Sequence, residues 1–204
     1  DQNGLNLLVT QVRIENGQLL FLDHLVSDRA PYRYELSEFH LAATGITLDG
    51  TVPVKLGGNL NGASLELDGR VRLSPLSVEG DLSFAGLDAL QFKHYFEKSL
   101  PGTLGGLTLS LKSYFEGTSQ SLTAKGQLTA SDLDMTLNAL PEAPLEGVQV
   151  AVDYNLALNL GDNQLVLKRL NCDLNGITLE TTGHVTDLDQ TPVVELLVSA
   201  SLLY

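Results

Sequence analysis

Hydrophobic and polar residues alternate along most of this chain, and the longest run is VQVAVDYNLALNL, residues 148–160. Val148, Val150, Val152, Tyr154, Leu156, Leu158 and Leu160 fall on one parity, with Gln149, Ala151, Asp153, Asn155, Ala157 and Asn159 on the other. A period of two is that of a β-strand with one apolar face. Thirteen residues at about 3.3 Å each predict a strand of roughly 40 Å, twice the usual length. The same parity joins Leu65, Leu67, Gly69, Val71 and Leu73, and again Leu122, Ala124, Gly126 and Leu128.

The pattern repeats. LNGASLELDG at 60–69 returns as LNGITLETTG at 174–183, and Gly69, Gly126 and Gly183 are evenly spaced, since 126 − 69 = 57 and 183 − 126 = 57. Three related units in series predict a stacked β-array. A turn at Asp68-Gly69 would set Leu67 against Arg70 and Leu65 against Arg72, mixing apolar and charged side chains on one face. These glycines therefore belong inside long strands, where Gly marks a bend or a close approach. The Asn-Gly pairs behave differently. A turn at Asn61-Gly62 sets Leu60 against Ala63 and Leu56 against Leu67. One at Asn175-Gly176 sets Leu174 against Ile177 and Cys172 against Leu179, and one at Asn16-Gly17 sets Ile14 against Leu19 and Val12 against Phe21. All three keep apolar faces together, so three hairpins are predicted.

Only DALQFKHYFEKS, residues 88–99, reads as a helix, capped by Asp88 and stopped by Pro101-Gly102. Residues 25–34 and 140–145 read as loops. The expectation is an all-β fold with one short helix in a single domain over 1–204. A long antiparallel meander of repeated strands would curl into an elongated groove or open sandwich. The abrupt start at DQNG and end at SLLY suggest a piece of a longer protein. An apolar sheet face must be covered. Either the sheet closes as a sandwich filled by its own side chains, or it forms a trough filled by a ligand or partner.

Composition narrows the partners. Net charge is −13, and the twelve Lys and Arg are scattered, which argues against nucleic acid and against docking on anionic membranes. Roughly a fifth of the chain is Leu, Trp is absent and there is one Met, so the apolar surface is aliphatic and suits acyl chains. Cys172 has no disulfide partner and sits in an apolar alternation with Leu170 and Leu174, as a buried small hydrophobe would. No signal peptide and no apolar run near 18 residues is present.

Catalytic chemistry has no foothold. His24, His40, His94 and His184 lack metal-ligand spacing, and no nucleophile elbow, P-loop or dinucleotide fingerprint occurs. Asp132 with Asp134 and Asp187 with Asp189 recur at near-repeat spacing but read as solvated turns rather than calcium sites. Tyr32, Arg33 and Tyr34 form an aromatic-basic cluster read as loop packing. The expectation is a non-enzyme with neither cofactor nor metal.

IENGQLLFLD at 14–23, the Leu-rich strands with glycines at 69, 126 and 183, and a short helix between strands together resemble the AsmA-like proteins of Gram-negative envelopes. The resemblance implies a periplasmic segment of a protein anchored in the inner membrane, acting in outer-membrane biogenesis through a β-groove that carries phospholipid acyl chains. It transfers no catalytic residue. The groove floor would be Leu65, Leu67, Val71, Leu73, Val148, Val150, Val152, Leu156, Leu158, Leu160, Val194, Leu196 and Val198. Its partners would be phospholipid or fatty acyl chains and other envelope proteins. The rival is a closed β-sandwich, structural or partner-binding, that holds no lipid.

Overall fold

The computed structural model describes residues 8–24, 31–174, 177–189 and 191–202. Eleven strands follow one another in a single antiparallel sheet whose spatial order is the chain order. They are β1 (Val9–Asp23), β2 (Tyr32–Ile46), β3 (Thr51–Leu60), β4 (Ala63–Arg72), β5 (Ser77–Asp88), β6 (Gly102–Thr118), β7 (Ser121–Leu137), β8 (Leu145–Asn159), β9 (Gln164–Leu174), β10 (Ile177–Thr186) and β11 (Val193–Leu202). β1 and β11 do not pair, so the sheet stays open. A closed sandwich is therefore not formed, and no large side chain among the described residues is fully buried. Coverage from a second sheet would have needed a second set of strands, and every strand is spent extending this one.

Gly69, Gly126 and Gly183 lie within β4, β7 and β10. Each is the central strand of a three-strand unit: β3–β5, β6–β8 and β9–β11. A unit with an odd number of strands inverts at each step of an antiparallel meander. β7 thus runs against β4, whereas β10, six strands on, runs with it. The two copies of LNG thus sit on strands that run the same way, while the glycine recurs in every unit.

The glycines also mark where neighbouring strands come close. A Cβ on Gly126 would stand 2.1 Å from the Lys112 carbonyl and 2.8 Å from the Ser113 Cα. On Gly69 it would lie 2.6 Å from the Glu79 carbonyl, and on Gly183 it would lie 2.1 Å from that of Glu195. Neighbouring backbone occupies the space a side chain would take, so adjacent strands approach closely at these three positions.

Two expected hairpins have the expected registers. Leu60 pairs Ala63 and Leu56 pairs Leu67, across Asn61 (φ 48°) and Gly62 (φ 97°), the two positive angles a type I′ turn requires. Leu174 pairs Ile177 and Cys172 pairs Leu179, although Asn175 and Gly176 themselves lie outside the described residues. The third expectation is corrected. Asn16-Gly17 is no turn: it sits inside β1, where Ile14 pairs Leu41, Gly17 pairs Phe39 and the register slips on both sides of Gly17. Asn16 (φ 52°) lies in the first of these slips and Glu38 (φ 52°) in the second. The left-handed preference of Asn-Gly serves a bulge as well as a hairpin, and the bulged strand keeps its whole length paired to β2.

Two boundaries also shift. Of the segment read as a loop at 25–34, residues 25–30 are outside the described residues, and Tyr32 to Tyr34 open β2. The helix at 88–99 is a chain of single turns, with 3₁₀ turns at Ala89–Phe92 and Glu97–Ser99 flanking one α-turn at Lys93–Phe96. Asp88 caps it by accepting from the Leu90 amide at 2.9 Å.

Candidate functional site

In an antiparallel ladder, paired residues point to the same face. Following the pairs from Leu67 through Leu82, Ser113, Gly126, Tyr154, Leu170 and Thr181 to Val198 crosses eight strands on one side of the sheet. The parallel row from Leu65 passes Phe84, Leu111, Leu128, Val152, Cys172 and Leu179. A third runs from Val71 through Val78, Gly117, Leu122, Leu158, Leu165 and Val185 to Val194. Leu156 and Leu196 stand in the row between, with Val148 and Val150 further along β8. Eleven of the thirteen floor residues thus share one face. Leu73 and Leu160 do not belong to it: both fall in turns, 46% and 51% exposed, because their strands end one residue earlier.

That face is an open aliphatic surface. Val150, Val152, Leu156 and Leu158 are half-buried, Val148 is buried, and Val194, Leu196 and Val198 at the edge are 52–58% exposed. Cys172 is only half-buried, between Val152 and Leu179, where a closed core would have enclosed it. Polar interruptions are few. Ser113 and Thr181 are small, and Tyr154 brings the one hydroxyl-bearing ring on the rows traced above.

The opposite face is charged and internally matched. Lys55 meets Asp68 at 2.9 Å and Arg70 meets Glu79 at 3.1 Å. Asp68 beside Lys55 holds its ammonium above the ordinary lysine range. His40 approaches Glu66 at 3.8 Å and His184 approaches Glu195 at 3.3 Å. A hollow of about 650 Å³ on this side is lined by Asp81, Asp153, Lys112, Lys125 and Arg169, whose charges largely cancel. Such exposed pairs add little stability but keep this face wet.

One corner of the apolar face is covered. The helical segment between β5 and β6 lays Phe92 flat on Tyr34, ring centroids 4.9 Å apart, and stacks His94 on Tyr32. His94 Nε2 and the Tyr34 hydroxyl are 2.8 Å apart, and Tyr95 donates to the buried Asp23 carboxylate. Gln91 donates to the Asn61 carbonyl at 3.3 Å, fixing the segment to the β3–β4 turn. Tyr34 and Ala63 are buried at this corner, Ala89 is buried within the segment, and Leu104 is buried at the start of β6 where the segment ends. Sequence reasoning placed Tyr32 and Tyr34 in a loop and treated His94 as isolated. The shared parity of Tyr32, Tyr34 and Leu36 was the available signal. Arg33 points the other way and pairs with Glu35 at 3.1 Å.

Among the described residues no group of three His, Cys, Asp or Glu side chains could hold a metal. Asp134 accepts from the Gly147 amide at 2.8 Å and Asp132 (φ 52°) sits at a β-bulge in β7. Asp187 (φ 56°) and Asp189 lie in the turn after β10. No helix among the described residues is long and apolar enough to cross a membrane. No family model, no curated protein and no solved structure matches this chain.

Proposed function

We propose that this chain holds or conducts phospholipid acyl chains along the apolar face of its sheet, without catalysing a reaction. The reading includes the setting that the AsmA resemblance implies: a periplasmic segment of an inner-membrane-anchored protein in a Gram-negative envelope, serving outer-membrane biogenesis. One observation carries it. Aliphatic rows run across the sheet on one side, and among the described residues the one helical segment covers a corner of it.

Magnitudes favour a two-chain lipid. Each buried methylene contributes about 0.8 kcal/mol, so a dozen give roughly 10 kcal/mol gross. Association costs about 4–15 kcal/mol before any net affinity appears. One acyl chain barely clears that cost, whereas two chains on one glycerol clear it comfortably. Acyl chains have no hydrogen-bonding groups, and a floor with few polar atoms loses nothing by covering itself with them. Headgroups would stay in water at the rim of the trough.

Native mass spectrometry of the gently purified chain, with organic extraction of whatever travels with it, tests the proposal. Val152→Asp puts a charge in the middle of the floor between Leu128 and Cys172. Because the face is open, the carboxylate stays hydrated and the β circular-dichroism signal should persist. Lipid occupancy should fall at least tenfold. Normal lipid binding by the variant, or a wild-type chain that stays empty when offered phospholipid vesicles, would overturn the reading.

A further inference from the structure

We propose that a hollow at the foot of the helical segment is the headgroup site of the trough, and that it takes a zwitterionic phospholipid bearing a primary amine. The inference rests on the acyl-chain reading above and adds which lipid the trough selects.

The hollow encloses about 240 Å³, and Lys93, Glu97, Lys98, Leu100 and Leu104 are among the residues that line it. Its base is apolar, with Leu100 half-buried and Leu104 buried. Leu104 pairs Met135, which shares a parity with Leu133, and Leu133 pairs Val148 of the floor. Leu133 and Met135 are half-buried, whereas Asp132, Asp134 and Thr136 beside them are exposed. The base of the hollow is therefore continuous with the trough floor. A lipid seated there by its headgroup can lay its chains along the sheet.

The charged walls have no partner within the protein. Several bases elsewhere are matched: Arg13 by Glu15, Arg33 by Glu35, Lys55 by Asp68 and Arg70 by Glu79. Among the described residues, the side chains of Lys93, Glu97 and Lys98 make neither an ion pair nor a hydrogen bond. Two ammonium groups and one carboxylate around an apolar base complement a phosphodiester followed by a short arm that ends in an ammonium. The lysines would donate to the phosphate oxygens, and Glu97 would accept from the amine. An anionic headgroup satisfies the lysines but brings a like charge to Glu97. A quaternary headgroup has no N–H for Glu97 to accept. The volume corresponds to roughly eight waters, which is room for a phosphate and an aminoethyl arm. Glu97 and Lys98 are exposed, so each contact is worth a few-fold in affinity. The floor supplies most of the binding, and the hollow supplies the choice of lipid.

The intact chain is incubated with vesicles of equimolar phosphatidylethanolamine and phosphatidylglycerol. Native mass spectrometry then reads how much lipid is bound and in what ratio. The wild-type chain should hold phosphatidylethanolamine in about fivefold excess. Glu97→Gln should make the two lipids equal without lowering total occupancy. Lys93→Gln combined with Lys98→Gln should lower occupancy by both lipids about fivefold. Val152→Asp, by contrast, should lower occupancy and leave the ratio of the remaining lipid unchanged. Equal wild-type binding of the two lipids, or a preference that survives Glu97→Gln, would overturn the headgroup site and leave the floor reading standing. Release of bound lipid by excess inorganic phosphate would also overturn it, by naming a free anion as the occupant. No uptake of either lipid would remove both readings.

Discussion

Ala63 and Ile177 occupy the same place in two copies of one motif, each directly after an Asn-Gly pair, yet they are 2% and 40% exposed. The strands around them have the same parity and the same direction. What differs is what lies over them. Between β5 and β6 the chain inserts a helical segment that lies back over the β2–β4 end, whereas no described helical segment lies over the start of β10. No described residue of β9–β11 is buried. Between these two matched positions, burial thus follows what lies over the sheet and not how apolar the strand is. The two ends differ as a filled and an unfilled copy of the same surface.

Truncating matched leucines breaks or confirms that contrast most directly. Leu104, 4% exposed at the covered end, should cost about 2–5 kcal/mol when changed to Ala, because a cavity remains under the helical segment. Leu196, 52% exposed at the bare end, should cost under about 1 kcal/mol for the same change. Urea midpoints of the two variants at a common slope give the comparison. Equal losses would mean that something covers the bare end in solution.

A glycine separates local from global stability. Gly183→Val places a side chain against the Glu195 carbonyl at a positive φ of 155°. Overpacking of this kind typically costs about 1–3 kcal/mol. At the bare end that cost should be met by detaching β11 alone. Amide exchange in β11 should rise to unprotected rates while the urea midpoint moves little. Cooperative loss of the whole sheet would show that the last unit is as tightly coupled as the first.

The strands, the mid-strand glycines and the shared apolar face were legible because period two and pairing parity are local properties of the sequence. The repeat was legible too, since spacing survives drift. Asn16-Gly17 misled because its dihedral preference fits two structures and only the pairing with β2 chooses between them. The cover was harder to see. Tyr34 is 60 residues from His94 and Asp23 is 72 from Tyr95, and nothing in their local spacing announces a contact made across the face. Openness was equally invisible, because a Leu in a bare trough and a Leu in a closed core obey the same alternation.

The smallest expected effect at neutral pH concerns how the cover is latched. Tyr95 is half exposed, and its hydroxyl bonds the buried Asp23 carboxylate. That bond, together with a weaker influence from Tyr34, pushes the phenol above its ordinary range. A folded-state value raised above the unfolded one, near 10, means that folding favours the protonated phenol. The stabilisation is fully present below about pH 10 and is lost as pH rises through the folded value. Tyr95→Phe keeps the ring against Tyr34 and His94 but removes the bond. Its deficit in urea midpoint should therefore be constant from pH 7 to 9, smaller than that of Leu104→Ala, and should shrink only in strong alkali. The same substitution should leave exchange in β9–β11 untouched, because the latch acts at the other end of the sheet. A deficit that tracks pH between 7 and 9 would mean that the Tyr95–Asp23 bond is not what latches the cover.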